Sequence, residues 1–262
     1  MKLYLVRHGQ STGNVGEQLM GQSEHPLTPL GEAQAAAAAA RLAPFGPMPV
    51  YHSDLPRAAA TARAIATAWG GDPVLVPDAR LREISLGDYE GASWARFEAD
   101  KELMAAFERD PYGTAVPGGE SLAHLVERVV AAVREILAAH GVTEDFELST
   151  EAVATSDASA LATGFHRPAQ GGNACIVAHD GPIRAVLNHY LGVPPEKWWT
   201  LSTTHGGVSL LEFSEGWVNV RYMNAAEHLA GLEPDVYVPS MDDPGVDAGD
   251  EASATGPSGA AG

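Results

Sequence analysis

Short, continuous apolar runs alternate with longer amphipathic stretches along most of this chain. Residues 3–6 and 174–178 are apolar at every position and are bounded by polar residues. Runs of this kind are typical of strands that are buried on both faces of a parallel sheet. Residues 50–51 and 74–76 are shorter apolar runs and predict two further strands.

The amphipathic stretches predict helices between these strands. Thr28 is a suitable N-cap and Pro29 suits the first helical position, so the alanine-rich stretch that follows is predicted as a helix. Pro44 ends this helix after Leu42. Residues 55–69 predict a second helix, which two glycines terminate. Further helices are predicted at residues 94–107, at residues 122–137 behind the cap Ser121, and at residues 182–191.

The last part of the pattern predicts a β-hairpin. Residues 208–213 and 217–222 alternate apolar and polar positions around a Ser-Glu-Gly turn. Strands that alternate with helices favour an α/β fold with three layers, α/β/α, around a mostly parallel central sheet. Because the hairpin adds antiparallel strands, we expect the sheet to be mixed.

Two stretches depart from this pattern. Residues 143–172 are rich in Ser, Thr, Ala and Gly without a sustained period, and they lie between a helix and a strand, so they are predicted to be a surface insertion. Residues 233–262 contain seven acidic and no basic residues and little to bury, which predicts a disordered acidic tail. Residues 1–232 are therefore expected to form one domain that carries the insertion.

Composition and charge exclude several classes of protein. The 262 residues are 45% hydrophobic and 19% charged, as in globular proteins rather than disordered or fibrous ones. The formal net charge of -18 would repel a nucleic-acid backbone or an anionic membrane at long range. Cys175 is the only cysteine, which excludes an intramolecular disulfide. No stretch has the apolar length of a signal peptide or a membrane span, so we expect a cytoplasmic protein without nucleic-acid or membrane partners.

Charged and histidine residues follow the predicted strands. Arg7 and His8 come directly after the first strand, and His179 comes directly after the run at 174–178. Arg57 lies where the second strand gives way to its helix, and Glu83 ends another strand-like segment. Because the carboxyl ends of parallel strands meet at one edge of a sheet, where ligands bind in open α/β folds, we expect these side chains to converge.

Six short motifs are spread along residues 1–222. In chain order they are Arg7-His8-Gly9-Gln10-Ser11-Thr12 with Asn14, Leu27-Thr28-Pro29-Leu30-Gly31 with Gln34, Ser53 with Arg57 and Thr61, Arg82-Glu83 with Gly87-Asp88 and Gly91, Pro117-Gly118-Gly119-Glu120-Ser121, and His179 with Gly181. In order and spacing this set resembles the histidine phosphatase superfamily, in its phosphoglycerate-mutase-like branch. Asp180 is a departure, because members of that family usually carry glycine at this position.

The chemistry of these residues suits phosphoryl transfer. A phosphomonoester dianion repels nucleophiles until it is neutralised, and Arg7 and Arg57 can neutralise it with bidentate hydrogen bonds. His179, cationic beside a bound dianion, would complete the clamp together with the backbone N–H of Asp180. His8 would then attack phosphorus through Nε2, provided that its other ring nitrogen donates to a backbone carbonyl.

Glu83 is the expected proton donor to the leaving alcohol. Neighbouring cations lower its pKa, whereas an arriving dianion raises it, so substrate binding would arm the acid. As a carboxylate, Glu83 would then activate the water that hydrolyses the P–N bond. No metal or other cofactor is expected, because the flanking arginines would repel a cation from a site built of these histidines and carboxylates.

Other residues of the motifs are candidates for substrate binding. Gln10 and Asn14 are expected to hydrogen-bond phosphate, although loop amides often satisfy only the local backbone. The resemblance implies that Met20, Gly21 and Gln22 line the substrate entrance.

Simpler structural roles stay open for two of the charged residues. Arg57 could form an ion pair with Asp54 on its own helix. Glu83 could pair with Arg80 or Arg82. The sequence assigns no role to His205.

Together these observations predict a metal-independent phosphatase that hydrolyses small phosphomonoesters through a phosphohistidine. Cofactor-primed phosphoglycerate mutase is the alternative, and it would have to shield the phosphohistidine from water. A noncatalytic module that binds a phosphorylated ligand is a third reading. The expected partner is a small phosphorylated metabolite, and because members of the family are often dimers, the resemblance also allows a homodimer.

Overall fold

The computed structural model describes residues 1–16, 18–70, 74–142, 172–214 and 217–232. Its strands are β1 (Lys2–Arg7), β2 (Val50–His52), β3 (Leu75–Pro77), β4 (Ala174–Ala178), β5 (Val208–Ser214) and β6 (Trp217–Ala225). Its α-helices are α1 (Pro29–Leu42), α2 (Pro56–Trp69), α3 (Trp94–Glu98), α4 (Lys101–Arg109), α5 (Leu122–Ala139) and α6 (Asp180–Leu191). Short 3₁₀ turns lie at Thr12–Asn14, Ala43–Phe45, Ala79–Leu81, Gly87–Tyr89, Pro195–Thr200 and Glu227–Leu229.

The predicted insertion, apart from its last residue, and the predicted acidic tail lie outside the described residues. The boundary of the folded domain at residue 232 therefore stays a prediction.

The six strands of the described residues form one mixed sheet in the order β3-β2-β4-β1-β5-β6. β1 runs parallel to β4, and β2 runs parallel to both β3 and β4. β5 is antiparallel to β1 and to β6, which confirms the predicted hairpin and the mixed sheet. β6, at the edge, alternates exposed and half-buried positions, whereas β5 is buried along almost its whole length because it lies between two strands.

Helices cover both faces of this sheet, so the fold is the expected three-layer α/β/α arrangement. Leu5 of β1 and Ile176 of β4 pack in a core with α5 and α6. Their neighbours Tyr4 and Val177 point to the other face and pack against α1 and α2. Within the described residues, no helix is both long and apolar enough to cross a membrane.

Side-chain caps set the ends of several helices. Thr28 Oγ1 accepts the Gly31 N–H at 3.0 Å, and Ser121 Oγ accepts the His124 N–H at 3.2 Å, as the sequence predicts. The single helix predicted at residues 94–107 is wrong: the segment forms the two helices α3 and α4. Asp100 separates them, because its side chain accepts the Leu103 N–H at 3.0 Å and starts a new helix.

The segment that leads to Glu83 is also not the strand that the sequence predicts. β3 ends at Pro77, and Asp78 Oδ1 accepts the Arg80 N–H at 2.8 Å, which starts the 3₁₀ turn Ala79–Leu81. Glu83 follows this turn in a loop. A loop, rather than a strand end, therefore delivers the acid to the site.

We expect Leu5→Ala to lower the free energy of unfolding by about 2–5 kcal/mol, because it opens a cavity at the centre of the core beneath α5 and α6. The matched control is Leu191→Ala, at a side chain that is 40% exposed, with an expected change below about 0.5 kcal/mol. Urea unfolding followed by circular dichroism measures both, and equal losses in the two variants would contradict this account of the core.

Candidate active site

Four of the predicted site residues meet at the carboxyl edge of the parallel strands. Arg7 ends β1 and His8 follows it, His179 follows β4, and Arg57 lies in the first turn of α2. The ring centroids of His8 and His179 are 4.8 Å apart. Arg57 Nε lies between them, 3.3 Å from His8 Nε2 and 3.2 Å from His179 Nδ1.

His8 is held in the tautomer that a nucleophile needs. Its Nδ1 lies 2.7 Å from the Gly9 carbonyl oxygen, which can only accept a hydrogen bond, so Nδ1 carries the proton. Nε2 therefore presents its lone pair towards Arg57. Burial, together with the nearby His179 ring and Arg57, lowers the pKa of His8 well below the ordinary value, so the ring is neutral at neutral pH.

In His179 the roles of the two ring nitrogens are the reverse of those in His8. Its Nδ1 accepts from Arg57, and its Nε2 lies 2.8 Å from Ser53 Oγ, a partner to which the sequence assigned no role. Burial and the charges of Arg57 and Arg7 lower the pKa of His179 well below the ordinary value. A phosphate dianion would oppose these positive charges and favour the cationic ring that the sequence predicts.

The two arginines are fixed by backbone carbonyls. Arg57 Nη1 donates to the Ser23 carbonyl at 2.8 Å and Nη2 donates to the Gly21 carbonyl at 2.7 Å. Arg7 Nη1 donates to the Thr203 carbonyl at 2.5 Å. Arg7 Nε is buried without a hydrogen-bond partner among the described residues. A buried donor of this kind is suited to an anion, since leaving it unsatisfied is costly.

Glu83 is anchored at the start of α6. One carboxylate oxygen accepts the Ile84 N–H at 2.9 Å and the other accepts the Gly181 N–H at 3.2 Å. Burial and the charge of Asp180 raise the pKa of Glu83, and they outweigh these hydrogen bonds and the charge of Arg57. A carboxyl that keeps its proton nearer to neutral pH is what a proton donor requires.

Gly181 permits this approach. A Cβ atom at position 181 would lie 2.3 Å from Glu83 Oε1 and 3.0 Å from a methyl group of Leu125. Any other residue at this position would therefore displace the acid.

The ion pairs that the sequence left open are made with other partners. Asp54 pairs with Arg82 through two bonds of 2.6 Å, and Arg57 is directed to the histidines instead. Arg80 pairs with Asp78 and Glu135. The arginines that could have neutralised Glu83 are thus engaged elsewhere.

Arg128, on α5, is a functional residue that the sequence analysis missed. Its Nη1 donates to the carbonyls of Arg80 and Arg82, each at 2.8 Å, and its Nη2 donates to the Glu83 carbonyl at 2.9 Å. Glu120 holds the guanidinium from the other side, at 2.7 Å and 2.8 Å. This one side chain fixes the loop that carries the acid. Nothing in the local sequence distinguishes it from a solvated charge on a helix.

Glu90 holds the backbone of the predicted substrate entrance, as Arg128 holds the loop that carries Glu83. Its carboxylate accepts the Gly21 N–H at 3.1 Å and the Gln22 N–H at 2.7 Å, and it also accepts the Ser23 hydroxyl. Gln22 Nε2 in turn donates to the Glu83 carbonyl at 3.0 Å. The entrance loop is therefore tied to Arg57 and to the acid loop at once.

Two more predicted binding residues, Gln10 and Asn14, make local contacts. Thr28 donates to Gln10 Oε1 at 2.9 Å, and Asn14 Oδ1 accepts from the backbone and the hydroxyl of Ser11 at 2.9 Å and 2.7 Å. Their amide oxygens satisfy the loop, so a contact with phosphate would come from the amide nitrogens. Met20 is half-buried.

The side chain of Asp180 is engaged within the protein. It accepts from Arg184 Nε at 2.7 Å and from Thr203 Oγ1 at 2.6 Å. Burial favours its protonation, but the charges of Arg7 and Arg184 and the Thr203 bond outweigh burial and hold the pKa of Asp180 below the ordinary value.

The ring of His205, which the sequence left unassigned, is buried with its centroid 5.3 Å from that of His8. His205 thus contributes to the wall of the same site.

The donor set suits an anion better than a cation. Among the described residues, no cluster of three or more histidine, cysteine or acidic side chains could hold a metal ion. Arg57 and Arg7 lie near the His8 ring instead, and guanidinium groups recognise phosphate.

Comparison with known proteins agrees with this geometry. A family model described as the histidine phosphatase superfamily (branch 1) matches residues 3–146 and 149–226. The chain is 34% identical over 197 residues to a glucosyl-3-phosphoglycerate phosphatase of Mycolicibacterium vanbaalenii, covering 75% of this chain and 77% of that protein. It is 35% identical over 162 residues to a probable phosphoglycerate mutase of Proteus mirabilis, covering 57% of this chain and 74% of that protein.

Solved structures show the same fold. The native structure of a mycobacterial glucosyl-3-phosphoglycerate phosphatase superposes with a TM-score of 0.66 at 28% identity, covering 86% of this chain and 98% of that one. YhfR of Bacillus stearothermophilus superposes with a TM-score of 0.70 at 24% identity, covering 87% and 98%.

We expect Arg128→Met to lower kcat/KM about 10- to 100-fold, because the loop that carries Glu83 loses three hydrogen bonds and the acid is misplaced. Arg134→Met, at an exposed position of the same helix, is the matched control and should keep the wild-type rate. Steady-state hydrolysis of an alkyl phosphate provides the measurement, and wild-type kinetics in Arg128→Met would show that the clamp is dispensable.

Proposed function

Since the chain belongs to the histidine phosphatase superfamily, we propose that it is a phosphatase that hydrolyses small phosphomonoesters through a phosphohistidine at His8. The observation that carries this proposal is the orientation of His8: Gly9 fixes the proton on Nδ1, and the unprotonated Nε2 faces Arg57 and His179. A neutral imidazole whose lone pair faces a cationic, buried cleft is suited to attack a bound dianion.

Substrate binding would replace the contacts that Arg57 now makes with His8 and His179. The phosphate oxygens would accept from Arg57, from the buried Nε of Arg7 and from the backbone N–H of Asp180, the first residue of α6. These donors are fixed by the protein before the substrate arrives. Most of the rate enhancement would therefore come from positioning and from charge stabilisation.

In the first half-reaction His8 Nε2 forms a bond to phosphorus while the bond from phosphorus to the alcohol oxygen breaks. Glu83 gives its proton to that departing oxygen. In the second half-reaction the Glu83 carboxylate takes a proton from water as the water oxygen attacks phosphorus. The P–N bond breaks, its electron pair returns to Nε2, and inorganic phosphate leaves.

The relatives indicate which substrates to test first. One curated relative and one solved structure are glucosyl-3-phosphoglycerate phosphatases, so we propose a sugar phosphate or a phosphoglycerate derivative as the substrate class. We also propose that the enzyme works without a metal ion, because fixed arginines already supply the positive charge. A cytoplasmic location is a further proposal. The homodimer stays a prediction of the family resemblance.

Phosphoglycerate mutase is the second candidate, since the Proteus mirabilis relative is named as a probable one. The two activities share the phosphohistidine and differ in its fate. A phosphatase releases inorganic phosphate from many esters without interconverting 2- and 3-phosphoglycerate, whereas a mutase does the reverse.

We expect the wild-type protein to retain acid-labile ³²P after brief incubation with a labelled phosphomonoester, and His8→Ala to retain none. Loss of the nucleophile should lower kcat by at least about 10³-fold. His124→Ala, at an exposed histidine, is the matched control and should be labelled normally. Full turnover by His8→Ala would sink the proposed mechanism, and phosphoglycerate interconversion without phosphate release would favour the mutase.

We expect Glu83→Gln to lower kcat/KM on an alkyl phosphate about 10²- to 10⁴-fold. The loss on 4-nitrophenyl phosphate should be much smaller, because nitrophenolate leaves without a proton. Hydrolysis of the phosphohistidine also needs Glu83, so this variant should release a burst of nitrophenolate and then stall.

The pH dependence gives an independent check on Glu83. Because the protonated acid is the active form and burial raises the pKa of Glu83, wild-type kcat/KM on the alkyl phosphate should fall as the pH rises through that raised pKa. Glu83→Gln should lack this alkaline limb, while Glu108→Gln, at an exposed glutamate of α4, should keep it. Equal losses on both substrates would argue against Glu83 as the acid.

A further inference from the structure

Asp180 lies between the phosphate-binding Arg7 and the proton donor Glu83. It is the first residue of α6, directly after His179, and both of its carboxylate oxygens are engaged by the protein. Arg184, one turn along α6, holds Oδ2, and Thr203 holds Oδ1. The side chain of Arg184 is only 9% exposed, and its guanidinium lies over the ring of Trp199 at 5.2 Å. The carboxylate is therefore fixed from both sides.

Thr203 connects this carboxylate to the phosphate clamp. Its hydroxyl donates to Asp180, and its backbone carbonyl accepts from Arg7 Nη1. Thr203 lies in a segment without regular secondary structure between Thr200 and Val208. Two side chains hold Thr203 in this segment: the Asp180 carboxylate accepts from its hydroxyl, and Asn224 Oδ1 accepts the adjoining Thr204 N–H at 2.7 Å. The Asp180 carboxylate is thus one of the two anchors of the carbonyl that holds Arg7.

Asp180 also acts on the proton donor. The next residue along the chain, Gly181, donates its N–H to Glu83, so the two carboxylates lie at the same helix start. The negative charge of Asp180 raises the pKa of Glu83. The other charged groups that face Glu83 are Arg57 from α2, which lowers this pKa, and Arg128 from α5, which holds the backbone carbonyl.

We infer that Asp180 is a positioning residue that holds Arg7 through Thr203 and sets a fixed negative charge against the acid Glu83. The inference rests on the proposed function, because it assigns Asp180 a part in the same reaction. One residue thereby influences both the binding of phosphate and the protonation of Glu83. The hold on Arg7 depends on the hydrogen bond that Oδ1 accepts, whereas the effect on Glu83 depends on the negative charge. Different mutations can therefore test each effect.

Two variants separate them. Thr203→Val removes the hydrogen bond and keeps the charge, so inhibition by orthovanadate and by inorganic phosphate should weaken about 5- to 10-fold while the pH profile stays in place. Thr203→Ser, which keeps the hydroxyl, should restore the wild-type inhibition constants. Asp180→Asn removes the charge and leaves one acceptor oxygen, which can serve Thr203 while Arg184 loses its acceptor. Its alkaline limb of kcat/KM should therefore move to lower pH by about half to one unit.

Each outcome decides one part of the inference. Unchanged inhibition constants in Thr203→Val would overturn the link to Arg7, and an unmoved alkaline limb in Asp180→Asn would overturn the link to Glu83. Glu108→Gln is the charge control on the surface, and thermal unfolding of every variant shows whether the fold is intact. Failure of the proposed function appears in the wild type, as absence of turnover, whereas failure of this inference leaves wild-type turnover unaffected.

Discussion

The single N–H of Arg57 that lies between two imidazole nitrogens is the interaction on which the site depends. A buried guanidinium tolerates two neighbouring histidines only if both rings are neutral and both turn a lone pair towards it. This requirement fixes the outer nitrogens as donors, one to the Gly9 carbonyl and one to Ser53. The Arg57 N–H and the Gly9 carbonyl, on opposite sides of the His8 ring, therefore favour the same tautomer, with the lone pair on Nε2.

The sheet supplies the alignment that makes this contact possible. β1 and β4 are parallel neighbours in a register that pairs Arg7 with Ala178, so His8 and His179 leave the sheet at the same level. The acid and the substrate entrance lack such a frame, because both lie in loops. Arg128 and Glu90 take its place by binding backbone groups of those loops from elements distant in sequence. The site thus combines a rigid edge with two loops that are pinned by single side chains.

Most of the framework could be predicted from the sequence, because its signals are local. Buried strands, capped helices and the four residues that follow strands depend on neighbours a few positions away, and the structure places them as expected. Glu83 was expected at the end of a strand and lies in a loop, because the Asp78 carboxylate accepts the Arg80 N–H and turns the chain after β3. Arg128 and Glu90 escaped notice for another reason: each acts on the backbone of a distant segment, and one sequence holds no record of such pairs. Thr203 escaped notice because the side chains that it contacts, Arg7 and Asp180, are also distant in sequence.

The start of α6 combines a position that can vary with one that cannot. At position 180 the side chain points into a polar network, so a different residue there would change the charge around the acid and the anchor of Thr203, and would leave the backbone of α6 in place. At position 181 there is no space for even a methyl group beside Glu83. Related enzymes can therefore diverge in the acidity of the proton donor while its location stays constant, which offers evolution a way to shift the working pH without rebuilding the catalytic centre.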